Sequence, residues 1–371
     1  GVNKNDVPTH TVAFNSVTLR GGNATFAPTT AGFGYTGVAH LTLGAISEET
    51  PGSGVILAPG GPTTRLLLNA PNDYTGPTTL PSSAQPPEAV GTVHLGAEGA
   101  LPSGTALSVN SGTLDLSDGL GVSFNQTIGS LAGSNGVITN SGFDDVRTLT
   151  VNQNANSFFN GSIQGNLRIL KKGTGTLQLG GFHSHSGGTA VEEGTLFVSS
   201  NAGFTPVEVI GGTLSGTGVL GDLTVRNQGF VSPGAGPGIL TVANTTFDAG
   251  ARLALDINGT LAGPGHDQLA VTGGLTLSGD VEMQISLGYG PMDFVDAFTV
   301  ILNDGTEPKA GPGLLSFGGN PLAQGERFTV SSAFSQTFEI NYLGGDGNDV
   351  VLLAVPEPSA AVLSLIGSLG V

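Results

Sequence analysis

Few side chains in this sequence have chemistry to offer. His183 and His185 lie two residues apart, just ahead of Glu192 and Glu193. Imidazole and carboxylate together are ligands of first-row transition metals. An i, i+2 pair shares one face only on an extended strand, and no third ligand is evident nearby. The segment is rich in Gly and Ser, so the expectation is a pair of solvated loop histidines. Asp144, Asp145 and Arg147 form the densest charged cluster. Paired carboxylates are what glycoside hydrolysis needs, and a polysaccharide lyase needs a base with cationic help. The cluster sits among Gly and Asn, and a surface turn is the expected reading. Neither a G-x-S-x-G elbow nor a phosphate-cradling loop is present. The only adjacent basic pair is Lys171-Lys172, in a chain of 11 basic and 28 acidic residues with net charge −17. Nucleic-acid binding, which requires clustered cations, is therefore excluded.

Two motifs lie near the C-terminus. Gly344-Gly-Asp-Gly-Asn-Asp-Val-Val-Leu352 fits one copy of the calcium-binding nonapeptide. Ca²⁺ takes six to eight oxygens, which such repeats supply from successive stacked turns. A lone copy predicts a hairpin turn, and no metal or other cofactor is assigned. Any Ca²⁺ bound here would use Asp346 and Asp349. Further on, Pro356-Glu357-Pro358 fixes an extended backbone around one carboxylate, and the apolar run 360–371 follows.

The elements that would position these groups are β-strands. The chain has no Cys or Trp, 62 Gly in 371 residues, and only 11% charged residues against 38% hydrophobic ones. Such a chain can bury a core. Its Val, Leu, Phe and Thr suit pleated surfaces, and its Gly suits tight corners. Gly-Thr-Leu begins at Gly112, Gly175, Gly194, Gly212 and Gly259. Residues 65–80 align with 176–191, placing Leu68 on Leu179, Gly76 on Gly187 and Thr78 on Thr189. Short apolar-polar-apolar strands with Gly corners, spaced 18 to 20 residues between 175 and 212, describe coils that bury their apolar faces only by stacking.

The segments 170–181 and 186–198 resemble the autotransporter-associated β-strand repeat, with a weaker copy at 65–80. Residues 230–242 and 267–273 resemble the segment that often follows such repeats. The resemblance implies a parallel β-helix of the kind used in adhesin-like surface proteins. No aromatic-rich translocator barrel is seen after it. The Pro356-Glu357-Pro358 box resembles the PEP-CTERM sorting signal of Gram-negative bacteria. That family implies an exosortase-type partner, a spanning helix and a basic tail. The apolar run of 12 residues is short of the roughly 20 a span needs, so the chain is expected to be cut short.

The sequence thus predicts an all-β protein, a right-handed parallel β-helix (β-solenoid) with a β-rich C-terminal cap. Residues 1–246 are expected to form irregular coils, clearest at 65–80 and 170–225. Residues 247–354 should form terminal coils and an antiparallel cap, with 338–342 and 350–353 pairing as a hairpin. Residues 355–371 would be the sorting and anchor segment, the chain's one contact with a membrane. Loops are expected at 44–63 and 80–90. The expected function is non-enzymatic: an exported, adhesin-like structural protein of the cell surface or extracellular space, touching polysaccharide or other surface proteins. The alternative is a carbohydrate-active β-helix enzyme.

Overall fold

The computed structural model describes residues 9–28, 38–61, 63–82, 91–143, 146–200, 205–291, 293–305, 307–331 and 334–356. Those residues are all-β, without a helix, and most strands run parallel in stacked sheets. The chain divides into two compact units, residues 1–207 and 208–371.

In the first unit the longest sheet runs Thr9–Leu19, Val38–Glu48, Thr64–Leu68, Thr92–Leu95, Thr113–Asp115, Val137–Asn140, Ser162–Gly165. Each strand lies parallel to the next, in register. One inner row is Val12, Leu41, Leu66, Val93, Leu114, Ile138 and Ile163, and a second is Phe14, Leu43, Leu68 and Leu95. The members from Leu66 and Leu43 onward are fully buried. Alternation explains the rows: every second side chain points inward, and stacking sets like residues one strand spacing apart. Each buried Leu or Val contributes up to about 1.5–3 kcal/mol.

A second sheet begins Gln126–Ile128, Arg147–Asn152, Leu167–Lys172, Thr189–Val191, and a third runs Ala24–Phe26, Val55–Leu57, Thr78–Leu80, Ala106–Val109, Ser130–Ala132. Ser157–Phe159, Thr176–Leu179 and Thr195–Val198 stack beside them in the same manner.

The coils are longer and less even than 18 to 20 residues. Leu43 lies over Leu68 and Leu68 over Leu95, offsets of 25 and 27 residues. Offsets of 19 and 20 hold in the stretch 147–198, where Leu149 meets Ile169, Ser157 meets Leu177, Ile169 meets Thr189 and Leu177 meets Leu196. The expected loop at 44–63 is partly sheet, because Val38–Glu48 and Val55–Leu57 run into it. Of the expected loop at 80–90, residues 83–90 lie outside the described residues.

In the second unit, parallel stacking continues through Phe230–Pro233, Arg252–Ile257 and Val281–Leu287. Leu253 and Met283, paired there, are 30 residues apart. The fifth Gly-Thr-Leu, at Gly259, forms no strand, and its Leu261 is exposed. A last sheet starts parallel, Ile239–Val242 on Gln268–Val271 on Ala297–Asn303, and then reverses. Asp349–Val355 pairs antiparallel with Ala297–Asn303 and with Ser335–Gly344, and Arg327–Ser331 closes the edge. The expected hairpin is present, with Ile340 opposite Leu352. Phe298, Phe338 and Phe328 pack beneath it, with centroids 5.9–6.0 Å apart.

Candidate functional site

The repeat at 169–198 shows how the fold uses its polar side chains. Lys171 occupies an inward row between Val151 and Val191 and is fully buried. Its ammonium donates to the carbonyl oxygens of Lys172 (2.8 Å), Gly173 (2.6 Å) and Glu193 (3.2 Å). These carbonyls lie at a strand end and at the corners of two successive coils, and Lys172 O also accepts from Gln153 N at 3.1 Å. Burial pushes the amine down to about 8, against the pull of Glu193. Gly173 and Gly194 have φ of +73° and +64°. A Cβ on Gly194 would stand against Gly173 O, Gly175 O and the ammonium. Lys172 points out instead and pairs with Glu192 at 2.8 Å.

The structure overturns the expectation of solvated histidines. His183 and His185 are 1% and 2% exposed. Phe182 and Ser184 take the outward positions, so alternation turns both imidazoles inward. His183 is bridged in parallel to Ile163 and so continues an apolar row. His185 Nε2 bonds Thr189 Oγ1 at 3.0 Å. The aligned residues of the earlier copy, Tyr74 and Thr78, make the same contact at 2.6 Å, with Tyr74 fully buried. An aromatic ring tied to a Thr four residues on therefore forms the corner in both copies.

Burial lowers His183 to about 3, helped by His185, and lowers His185 to about 4. Neutral rings fit this dry setting. Glu192, bound to Lys172 on the outside, does not join them. Among the described residues, no three His, Asp or Glu side chains converge as metal ligands.

One polar group was not anticipated. His94 and Asp115 are register neighbours on the outer face of the long sheet, with Nδ1 and Oδ2 3.5 Å apart. The Asp115 carboxylate is 3% exposed and accepts from Ser117 N and Ser141 N (both 3.1 Å) and from Ser141 Oγ (2.5 Å). Gly119 lies against the His94 ring, and burial lowers the imidazole pKa. The carboxylate stands between serine and histidine. The imidazole does not reach the hydroxyl, so the order is wrong for a serine activated by histidine. The two share one ladder position at an offset of 21 residues, outside the spacing of 18 to 20 read from the sequence. Arg147 opens the strand Arg147–Asn152, whereas Asp144 and Asp145 lie outside the described residues.

In the second unit Asp267 is 1% exposed and accepts from Gly238 N and Asp256 N, both at 2.8 Å. Burial raises it to about 7 despite those two bonds. Asp349, 5% exposed, accepts from Asn303 N at 2.9 Å. Burial raises its pKa, and Asp346 and Asp304 add to the rise. Asp346 itself is exposed on the turn. Pro356 is the last described residue; Glu357 and Pro358 lie outside the described residues.

Residues 169–198 match the model of the passenger-associated-transport-repeat. The chain is also similar to the Adhesin BmaC autotransporter of Brucella suis biovar 1 (strain 1330). The two are 32% identical over 156 residues, covering 38% of this chain and 4% of that protein. The match thus spans a small fraction of that relative's length.

Proposed function

We propose that this chain is a non-enzymatic, adhesin-like structural module, exported to the surface of a Gram-negative-type bacterium. One observation carries the reading. Lys171, His185, Asp115, Asp267 and Asp349 are each spent on the backbone or a side chain of their own or a neighbouring coil, and His183 sits neutral in an apolar row. Lys171 holds three carbonyls, His185 a threonine, Asp115 two serines, and Asp267 two amides. What faces outward is a set of flat, mostly uncharged rows, such as Thr25, Ile56, Thr79 and Ser108, or Thr127, Thr150 and Leu170. Rows at strand spacing suit many weak contacts along a polymer or another surface protein, where avidity replaces a pocket.

The repeat match and the adhesin name of the relative support this use. Sorting through Pro356-Glu357-Pro358 by an exosortase-type partner belongs to the same proposal. It rests on the sequence motif.

Beads coated with the chain test the reading on a panel of extracellular polysaccharides and surface proteins. Dense coating should give retention at least about tenfold above sparse coating, as avidity requires, and no new reducing ends. Equal retention at both densities, or cleavage of the polysaccharide, overturns it. Replacing all three residues of the Pro-Glu-Pro box with Ala in the native cell should change where the protein is retained. Unchanged retention removes the sorting claim and leaves the adhesive one standing.

A further inference from the structure

We propose a divalent-cation site of the all-oxygen kind that Ca²⁺ occupies, where the loop leaving Asn303 meets the 344–349 turn. One hydrogen bond ties the turn to the loop and a second braces the loop on itself, both through side-chain nitrogens. Asn348 Nδ2 donates to Gly305 O at 2.5 Å, and Asn303 Nδ2 donates to Glu307 O at 3.0 Å. A third runs from Asn303 N to Asp349 Oδ1 at 2.9 Å. Committing both amide nitrogens to carbonyls leaves the amide oxygens over. Asn303 and Asn348 are 0% and 6% exposed, and Oδ1 of each is buried without a hydrogen-bond partner. Buried acceptors are rarely left so. Two of them beside one buried carboxylate mark a place where something positive or hydrogen-bonding belongs.

Charge narrows the choice. The acidic neighbours of Asp349 are Asp346 and Asp304. No ion pair to any of the three is found among the described residues. The nearest described ammonium on this loop, Lys309, is committed to Gly313 O at 2.9 Å. The donor set is therefore oxygen only: two amides, one buried carboxylate, and two exposed carboxylates that can swing inward. Hard cations select such sets, and Ca²⁺ tolerates their irregular geometry where Mg²⁺ does not. Gly345 keeps the turn tight, with φ of +56°, and a Cβ there would fall on Asp349 Oδ2.

This arrangement meets the objection to a single glycine-rich turn. The end of the neighbouring strand supplies the oxygens that a second stacked turn would otherwise bring. No three acidic or imidazole side chains converge there among the described residues. The buried charge count is thus low, and the affinity belongs in the weak, extracellular range of about 10⁻⁴–10⁻³ M.

Titrating CaCl₂ into the full chain after chelator treatment, followed by calorimetry, tests the site. One saturable event in that range is expected, with MgCl₂ weaker. Asp349→Asn should weaken binding about tenfold by removing a ligand charge. Asp346→Asn, at an exposed position outside the hydrogen bonds that hold loop and turn, should weaken it several-fold. If Asp349→Asn fails to fold, Asp346→Asn alone decides. No saturable heat up to about 10 mM CaCl₂ overturns the proposal. So does an Asp346→Asn affinity equal to wild type, which would place the ions on the diffuse acidic surface.

Discussion

The apolar rows end differently at the N-terminal edge of the first unit and in the C-terminal sheet of the second. At the edge strand Thr9–Leu19, Val12 and Phe14 stand at the ends of two inner rows and are 52% and 50% exposed. In the last sheet of the second unit, parallel pairing gives way to antiparallel strands. There Phe298, Phe338, Leu352 and Val355 are all fully buried. Stacked coils leave apolar side chains and backbone groups open at each terminus. Reversing strand direction is one way to cover them. The comparison shows that a residue's place in its row, rather than its type, sets its energetic weight.

The largest expected effect breaks the comparison if it fails. Phe338→Ala should cost about 3–5 kcal/mol, as for a large aromatic removed from a packed core. Phe14→Ala should cost under about 1 kcal/mol. Chemical denaturation of the two variants checks this, and similar losses would mean the two ends are equally closed. Next comes Lys171→Met, which fills the row between Val151 and Val191 but takes the ammonium from the carbonyls of Gly173 and Glu193. A loss of about 2–4 kcal/mol, confined to the first unit, is expected from those unpaired acceptors. Hydrogen exchange resolved by peptide would locate it.

Acid should separate the two units. His183 and His185 fold with values of about 3 and 4, below the ordinary 6.5. The unfolded chain then binds more protons in that window. Their contribution is whole above pH 6.5 and is lost as pH falls toward 3. Asp267 has the opposite sign. Its folded value of about 7 lies above 3.8, so its contribution is whole below 3.8 and is lost as pH rises through 7. His266, lowered by burial, opposes Asp267 in the same unit. Between pH 7 and 5 the first unit should therefore lose exchange protection faster than the second. Equal loss in both would contradict these assignments. The smallest effect sharpens the picture of the corners. Thr189→Val removes the partner of His185 Nε2 and should cost about 1 kcal/mol. Thr78→Val should cost at least as much, because Thr78 Oγ1 also meets Thr105 Oγ1 at 2.9 Å.

Strands were legible in the sequence wherever apolar and polar residues alternate, as in 281–287 and 337–342. Coil length was not, because a loop between two stacked strands can lengthen without disturbing their register. The alignment of 65–80 with 176–191 correctly paired Tyr74 with His185. It could not show that both point inward, since a Gly- and Ser-rich setting looks solvated when neighbouring coils are unseen. Lys171 was hidden for a related reason: beside the carbonyls of the next two residues, it needs Glu193 O, which only stacking brings to it. His94 and Asp115, 21 residues apart, meet only once the local coil length is known.

The central claim is parallel, in-register stacking, and the absence of native Cys allows a direct test by disulfide trapping. Gln178 and Phe197 are register partners in the first unit, as are Ala254 and Gln284 in the second. Neighbouring parallel strands place such Cα atoms within the roughly 4.4–6.8 Å a disulfide spans. The double variants Gln178→Cys with Phe197→Cys, and Ala254→Cys with Gln284→Cys, should cross-link fully under mild oxidation. Gln178→Cys with Thr195→Cys, two residues out of register, should not. Cross-linking of the slipped pair in place of the aligned ones would contradict the account.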